Sequence, residues 1–176
     1  MHNVEFKAEL RDLPLARSVC KALGATFILT LDQTDTYFQI AAGRLKKREC
    51  KGEPTEFIFY DRENRARPKL SHFTIYSEAQ AMERFGATPL PVWVVVRKVR
   101  ELYMLDSTRI HLDVVEGLGS FLEFESLVSP SNNVARCHAT IGKLRSSFGP
   151  ALGEIIGCSY SDMIARERDP EPEPRG

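Results

Sequence analysis

Arg109-Ile110-His111-Leu112-Asp113 and, further along the chain, Glu123-Phe124-Glu125 put ionisable side chains on alternate positions with apolar ones between them. Successive side chains on a β-strand point to opposite faces. Each stretch therefore reads as a strand with one ionised face and one apolar face. Glu5-Phe6-Lys7 and Lys98-Val99-Arg100 repeat the pattern. An ordinary half-buried strand shows water one or two charges of mixed type. Here carboxylates come in pairs, and so do Lys and Arg. The ionised faces are expected to point at one another around a charged cavity, with the apolar faces turned outward beneath helices.

The rest of the composition fits one domain of ordinary size. The chain has 176 residues, enough for a real core, and equal numbers of basic and acidic residues, 24 of each. A net charge of zero argues against a general nucleic-acid or membrane-surface binder, which would carry a basic excess. Cys20, Cys50, Cys137 and Cys158 have no C-x-x-C or zinc-like spacing and are expected to be reduced thiols. No apolar leader opens the sequence and no run of about 18 apolar residues occurs in it. A cytoplasmic location is the expectation. Residues 1–165 are expected to form the domain. Arg166 to Gly176, rich in Pro, Glu and Arg, is expected to be a disordered tail.

Along the chain, a first strand spans about Asn3 to Leu10. Asp12 caps a helix with Pro14 in its first turn, and Gly24 stops it. Phe27–Leu31 and a segment starting at Asp35-Thr36-Tyr37-Phe38 read as two strands; Gly43 turns the chain into a partner over Arg44–Glu49. Thr55–Asp61 and Ser71–Tyr76 are further strands, separated by a basic loop over Arg62–Lys69. Ser77 with Gln80 signals a capping box for a helix ending at Gly86. Val92–Leu102 and Thr108–Val115 form a hairpin around Asp106-Ser107, and Phe121–Val128 is the last long strand. Ser131–Ser147 is helical, and a shorter helical piece is expected to follow up to Ile156. About eight strands with short turns make an α+β fold, whose antiparallel sheet could close into a barrel.

The polar faces carry Glu5 and Lys7; Lys46 and Arg48; Lys98 and Arg100; Arg109, His111 and Asp113; and Glu123 and Glu125. Arg62 and Lys69 come from the loop region. Burying these charges without partners would cost several kcal/mol each. Mutual ion pairing avoids that cost, and so does a site filled by a highly charged ligand. Arg and Lys suit phosphate oxygens. Clustered carboxylates suit a hard divalent cation such as Mg²⁺ or Mn²⁺. Together they suit a polyphosphate or nucleotide with its metal. A solvated sheet with charges paired across strands is the plainer alternative. It accounts poorly for Glu123 and Glu125, which repel on one face unless a cation lies between them. A structural or ligand-orienting role suits His111 better than general base catalysis. Tyr37 and Tyr60 read as wall residues and Trp93 as core.

In order and spacing, several motifs together resemble the CYTH family, which joins class IV adenylyl cyclases and thiamine triphosphatases among the triphosphate tunnel metalloenzymes. They are Asn3-Val4-Glu5-Phe6-Lys7, Asp35-Thr36-Tyr37-Phe38, Gly43 to Glu49, Lys98 to Tyr103, Ile110 to Asp113, Glu116 to Glu125, and Ser159-Tyr160-Ser161-Asp162. The resemblance covers about Asn3 to Ile164 and implies a closed eight-stranded antiparallel tunnel with a few flanking helices. It implies that Glu5, Asp113, Glu123 and Glu125 hold the metal and carry catalysis. It also implies that Lys7, Lys46, Arg48, Lys98, Arg100 and Arg109 bind the triphosphate, joined by Arg62 and Lys69. The family opens with E-x-E-x-K; here Asn3 stands at the first Glu, so one metal carboxylate is missing. Glu116 and the Gly117/Gly119 turn are expected to shape a hairpin.

Three activities fit these residues. The first is cyclisation of ATP to cyclic AMP and pyrophosphate, as in class IV cyclases. The second is hydrolysis of tripolyphosphate, a nucleoside triphosphate or thiamine triphosphate. The third is polyphosphate or nucleotide binding without turnover. The Leu-Asp and Gly-Leu-Gly before Glu-x-Glu resemble the cyclase-named branch of the family most, and that resemblance puts the cyclase narrowly first. Retained Glu5, Glu123 and Glu125 argue against pure binding. A homodimer would cover apolar strand faces that three helices leave open.

Overall fold

A computed structural model describes residues 1–61 and 68–169. Nine strands and four helices run in the order β1 (His2–Leu10), α1 (Leu13–Ala22), β2 (Thr26–Phe38), β3 (Arg44–Cys50), β4 (Glu56–Asp61), β5 (Lys69–Ser77), α2 (Glu78–Phe85), β6 (Val92–Leu105), β7 (Thr108–Val115), β8 (Gly119–Leu127), α3 (Val134–Phe148), β9 (Leu152–Ile155) and α4 (Tyr160–Arg168). The strands are ordered β5-β4-β3-β2-β6-β7-β8-β1-β9, and an additional β1–β5 ladder joins the ends. Strands β1 to β8 thus form a closed antiparallel barrel, and β9 lies on the outer edge of β1.

The alternation seen in the sequence becomes an inside and an outside. In β1, Glu5 and Lys7 face inward, while Val4, Phe6, Ala8 and Leu10 join Ile110, Leu112, Leu122 and Phe124 in an apolar layer on the outer wall. Helix α1 covers that layer with Ala16 and Cys20, and α3 with Cys137, Ile141, Leu144 and Phe148. Phe124 stacks on Phe6 and meets Phe148 edge-on. Each large side chain buried here contributes about 1.5–3 kcal/mol. Asp12 starts α1 by accepting the Leu15 amide at 2.9 Å, with Pro14 in the first turn. Ser77 and Gln80 complete the capping box of α2. Gly43 sits at φ +73°, and a Cβ there would lie 2.7 Å from the Phe59 ring, so both conformation and space exclude a side chain at the β2–β3 turn. All four cysteines are free thiols, and burial, the largest cause, pushes the Cys20 thiol up to about 12.

Five local expectations change. The two strands expected between Phe27 and Phe38 are one strand, β2, paired with β6 from Thr26↔Met104 to Phe38↔Val92. Its polar middle is no loop, because Gln33 and Asp35 are buried. The segment expected to be helical up to Ile156 is a 3-10 turn, Gly149–Ala151, followed by β9. The β1–β5 ladder ends at Glu5↔Lys69, leaving the later edge of β1 open, and β9 fills it at Ala8↔Ile155 and Leu10↔Leu152. Lys69 opens β5 rather than closing a loop. The helix expected from Ser131 starts after Asn133, which caps it by accepting the Arg136 amide. Helix α4, unforeseen as an element, begins at a Ser159/Asp162 capping box. Its last turn takes in Arg166–Arg168, so the expected tail starts too early; Arg168 donates to the Trp93 carbonyl at 2.8 Å. Residues 170–176 lie outside the described residues. No helix among the described residues is long and apolar enough to cross a membrane.

Candidate functional site

The barrel interior encloses a cavity of about 270 Å³. Glu5, Lys7, Lys46, Arg48, Lys98, Arg100, Arg109, Glu123 and Glu125 all line it. These nine residues come from β1, β3, β6, β7 and β8, so only barrel closure brings them together. Aromatic side chains complete the wall: Tyr37, Tyr60 and Phe73, with Tyr160 from α4. Tyr37, Tyr60 and Tyr160 also belong to an apolar cluster with Val94, Val96, Val115 and Phe121, which Met163 and Ile164 of α4 pack against.

Two fully buried aspartates arrange the cations. Asp35, with no exposed surface, accepts from Lys46 at 3.1 Å, Lys98 at 3.0 Å and Arg48 in a two-pronged contact at 2.8 and 2.7 Å. Burial opposes its ionisation, yet Lys46, Lys98 and Arg48 outweigh burial and hold it well below the usual carboxylate range. Asp113 faces Arg100 in the same two-pronged way, 2.7 Å on each arm, and accepts the Tyr160 hydroxyl at 2.7 Å. Burial works against the Asp113 charge, and Arg100 overcomes it. Asp113 was expected among the metal carboxylates. It has no exposed surface and does not line the cavity, and both its oxygens are occupied, so the geometry makes it the residue that orients Arg100. Asp35 is the paired carboxylate that residue typing did not single out. Its mark in the sequence was an acid on the same face as Tyr37.

Lys98 is buried among Arg48, Arg100 and Lys46. Burial, the largest cause, carries its ammonium down to about 7 against the pull of Asp35. Lys7 lies 3.5 Å from Glu123 and 4.0 Å from the centre of the Tyr160 ring.

The remaining carboxylates face each other across β1 and β8, with Glu5 opposite Glu125 and Lys7 opposite Glu123. Glu123 also lies 3.8 Å from Arg100, and Glu125 lies 3.9 Å from Arg109. Burial first, then Glu123 and Glu5, push the Glu125 carboxyl up to about 8, while Lys7 and Arg100 overcome burial to hold Glu123 well below its usual range. Carboxylates crowded until one of them retains its proton near neutrality are a donor set that a hard divalent cation satisfies. Among the described residues, His111, Glu123 and Glu125 each offer a ligand atom, all within 4.8 Å of one another.

A second cavity of about 260 Å³ adjoins the first and shares Arg48, Glu56, Arg100 and Arg109 with it. Leu31, Gln33, Cys50, Leu102 and His111 line it, with exposed Glu53 and Pro54 at its rim. The three arginines and Glu56 form a waist between the cavities. Arg109 reaches the waist although its side chain is 54% exposed. Lys69 does not line either cavity; it is buried and its ammonium donates to the Gly157 carbonyl at 2.9 Å. Arg62 lies outside the described residues.

A family model described as the CYTH domain matches residues 1–150. A candidate adenylate cyclase of Methanocaldococcus jannaschii is 26% identical over 177 residues, covering 93% of this chain and 98% of that protein. A solved structure from Pyrococcus horikoshii superposes with a TM-score of 0.74 at 21% identity, covering 91% of this chain and 98% of the other. A Hippeastrum protein, described as a candidate adenylyl cyclase with a dominant triphosphatase activity, gives 0.62 at 17% identity, over 97% of this chain and 98% of its own.

Proposed function

The chain belongs to the CYTH family, and from that premise we propose that it is a metal-dependent enzyme cleaving a nucleoside triphosphate in the manner of a class IV adenylyl cyclase. The observation that carries this reading is where the carboxylates stand. Glu5, Glu123 and Glu125 line the cation-rich cavity beside Arg100 and Arg109, the residues that open onto the second cavity. A nucleoside held in the second cavity would send its phosphates past the arginine waist toward Lys46, Lys98 and Lys7. Its α-phosphorus would then stand nearest the carboxylates. The crowded Glu5/Glu123/Glu125 set fits Mg²⁺ or Mn²⁺, which when bound would neutralise phosphate charge and polarise the reacting phosphoryl oxygens.

The chain's own groups do the rest. Asp113 and Tyr160 fix the Arg100 fork, and Asp35 fixes Arg48 and Lys98, so the cations are placed before the ligand arrives. The ribose 3′-hydroxyl loses its proton to solvent as its oxygen attacks the α-phosphorus, the bond from that phosphorus to the bridging oxygen breaks, and the cations take the charge of the departing pyrophosphate.

A triphosphatase is the second reading. The same cradle accepts tripolyphosphate or thiamine triphosphate, and the description of the Hippeastrum neighbour favours this chemistry on the shared fold. Incubation with Mg²⁺ or Mn²⁺ and ATP, tripolyphosphate or thiamine triphosphate, with products separated, tests both. Cyclic AMP with pyrophosphate is expected. Orthophosphate with a shortened chain would replace the cyclase by the hydrolase, and no turnover on any of the three would leave a binding module. Glu123→Gln is expected to cut turnover by about 10²-fold or more, the scale of lost metal-borne charge stabilisation.

A further inference from the structure

We propose that His111 supplies an imidazole nitrogen to the divalent cation, making with Glu123 and Glu125 a mixed nitrogen–oxygen site. This rests on the reading that those carboxylates hold a metal. His111 lies directly across from Glu123 in the β7–β8 ladder, with Glu125 two positions further along the same face. A ring nitrogen and one oxygen of each glutamate fall within 4.8 Å of one another. The ring is 4% exposed, and its Nδ1 has no hydrogen-bond partner among the described residues. A buried ring nitrogen that no protein group satisfies is available to an ion or a water. Neutral imidazole is a common metal ligand. The oxygen donor set is also short by one, because Asn3 stands where the resemblance places the first carboxylate. His111 lines the second cavity, and Glu123 and Glu125 line the first, so the site sits at the waist through which a triphosphate would pass.

The consequence is metal choice. A nitrogen donor favours transition ions over Mg²⁺, whose preference is for oxygen. His111 is the only histidine among the described residues lining either cavity, so nitrogen coupling to a metal bound there reports on it. The test loads the full chain with Mn²⁺ and records electron spin echo envelope modulation. Directly coordinated ¹⁴N is expected in the wild type and lost in His111→Gln. Calorimetry is expected to show that this substitution weakens Mn²⁺ binding by about 10-fold or more, with a smaller effect on Mg²⁺. Mn²⁺ bound tightly without nitrogen coupling would overturn the assignment and leave the carboxylate site intact. Absence of any Mn²⁺ binding that depends on Glu123 would overturn both. Should the variant not fold, the wild-type spectrum decides the matter alone.

Discussion

Asp35, Asp113, Glu123 and Glu125 share the barrel interior and do different work because their neighbours differ. Asp35 and Asp113 each face fixed cations and are held ionised. Glu123 leans on Lys7 and Arg100, and Glu125 is left crowded by Glu123 and Glu5. The folded-state pKa of Glu125 rises from 4.5 to about 8. The metal-free folded chain therefore holds that proton more tightly than the unfolded chain. The resulting stability is complete below pH 4.5 and lost as pH rises through about 8. Other groups titrate across this window, so the informative quantity is a difference. Denaturant unfolding of wild type and Glu125→Gln is expected to show the variant gaining on the wild type between pH 5 and pH 8, by a few kcal/mol at most, since one pKa unit corresponds to about 1.4 kcal/mol. A constant difference across that range would contradict the crowding.

Helix α4 shows how one short element completes the site. Its Tyr160 donates to Asp113 and lies under Lys7, with the Lys98 ammonium 5.6 Å from its ring centre. Asp162 accepts from Arg44 at 2.6 Å, and the Arg44 guanidinium lies 4.7 Å from the centre of the Trp93 ring. The helix has nine residues, too few to persist alone. Its start depends on Ser159, whose hydroxyl accepts the Asp162 amide at 3.2 Å while Asp162 accepts the Ser159 amide in return. Ser159→Ala is expected to cost about 1 kcal/mol. For a chain of this size that lowers the melting temperature by about 2–4 °C, measurable by calorimetry. An unchanged melting temperature would show that tertiary contacts, not the cap, hold α4 in place.

At the scale of the whole molecule, closure is uneven. The β1–β8 ladder spans seven residue pairs, whereas the β1–β5 ladder that shuts the barrel has four. The cations of the cavity project from β1, β3, β6 and β7, so a triphosphate bound there joins strands from around the wall. A ligand bound only by the folded state stabilises it by about 2.7 kcal/mol at 100 times its dissociation constant. Tripolyphosphate at that ratio is expected to raise the melting temperature by roughly 5–10 °C. Orthophosphate at equal concentration is expected to do much less, because it reaches only part of the cradle. Equal shifts for the two anions would indicate a diffuse basic surface instead.

Alternation in Glu5-Phe6-Lys7, Lys98-Val99-Arg100, Arg109 to Asp113 and Glu123-Phe124-Glu125 was enough to foresee a barrel charged within and apolar without. A period of two assigns faces as soon as one face must be buried. The caps at Asp12 and Ser77 were equally legible, being local hydrogen bonds between near neighbours. What stayed hidden depends on residues far apart in the chain. Asp113 looked like a metal ligand until Arg100, 13 positions away, and Tyr160, 47 away, occupied its oxygens. Asp35 gained its three cations from two other strands. Residues 152–155 became a strand because β1 had an edge to fill, and Lys69 turned from the cavity to the Gly157 carbonyl. Sequence determined which face each charge would occupy. Only the closed barrel decided which charges would meet, because partner choice is set by strand register and by distances that no local pattern encodes.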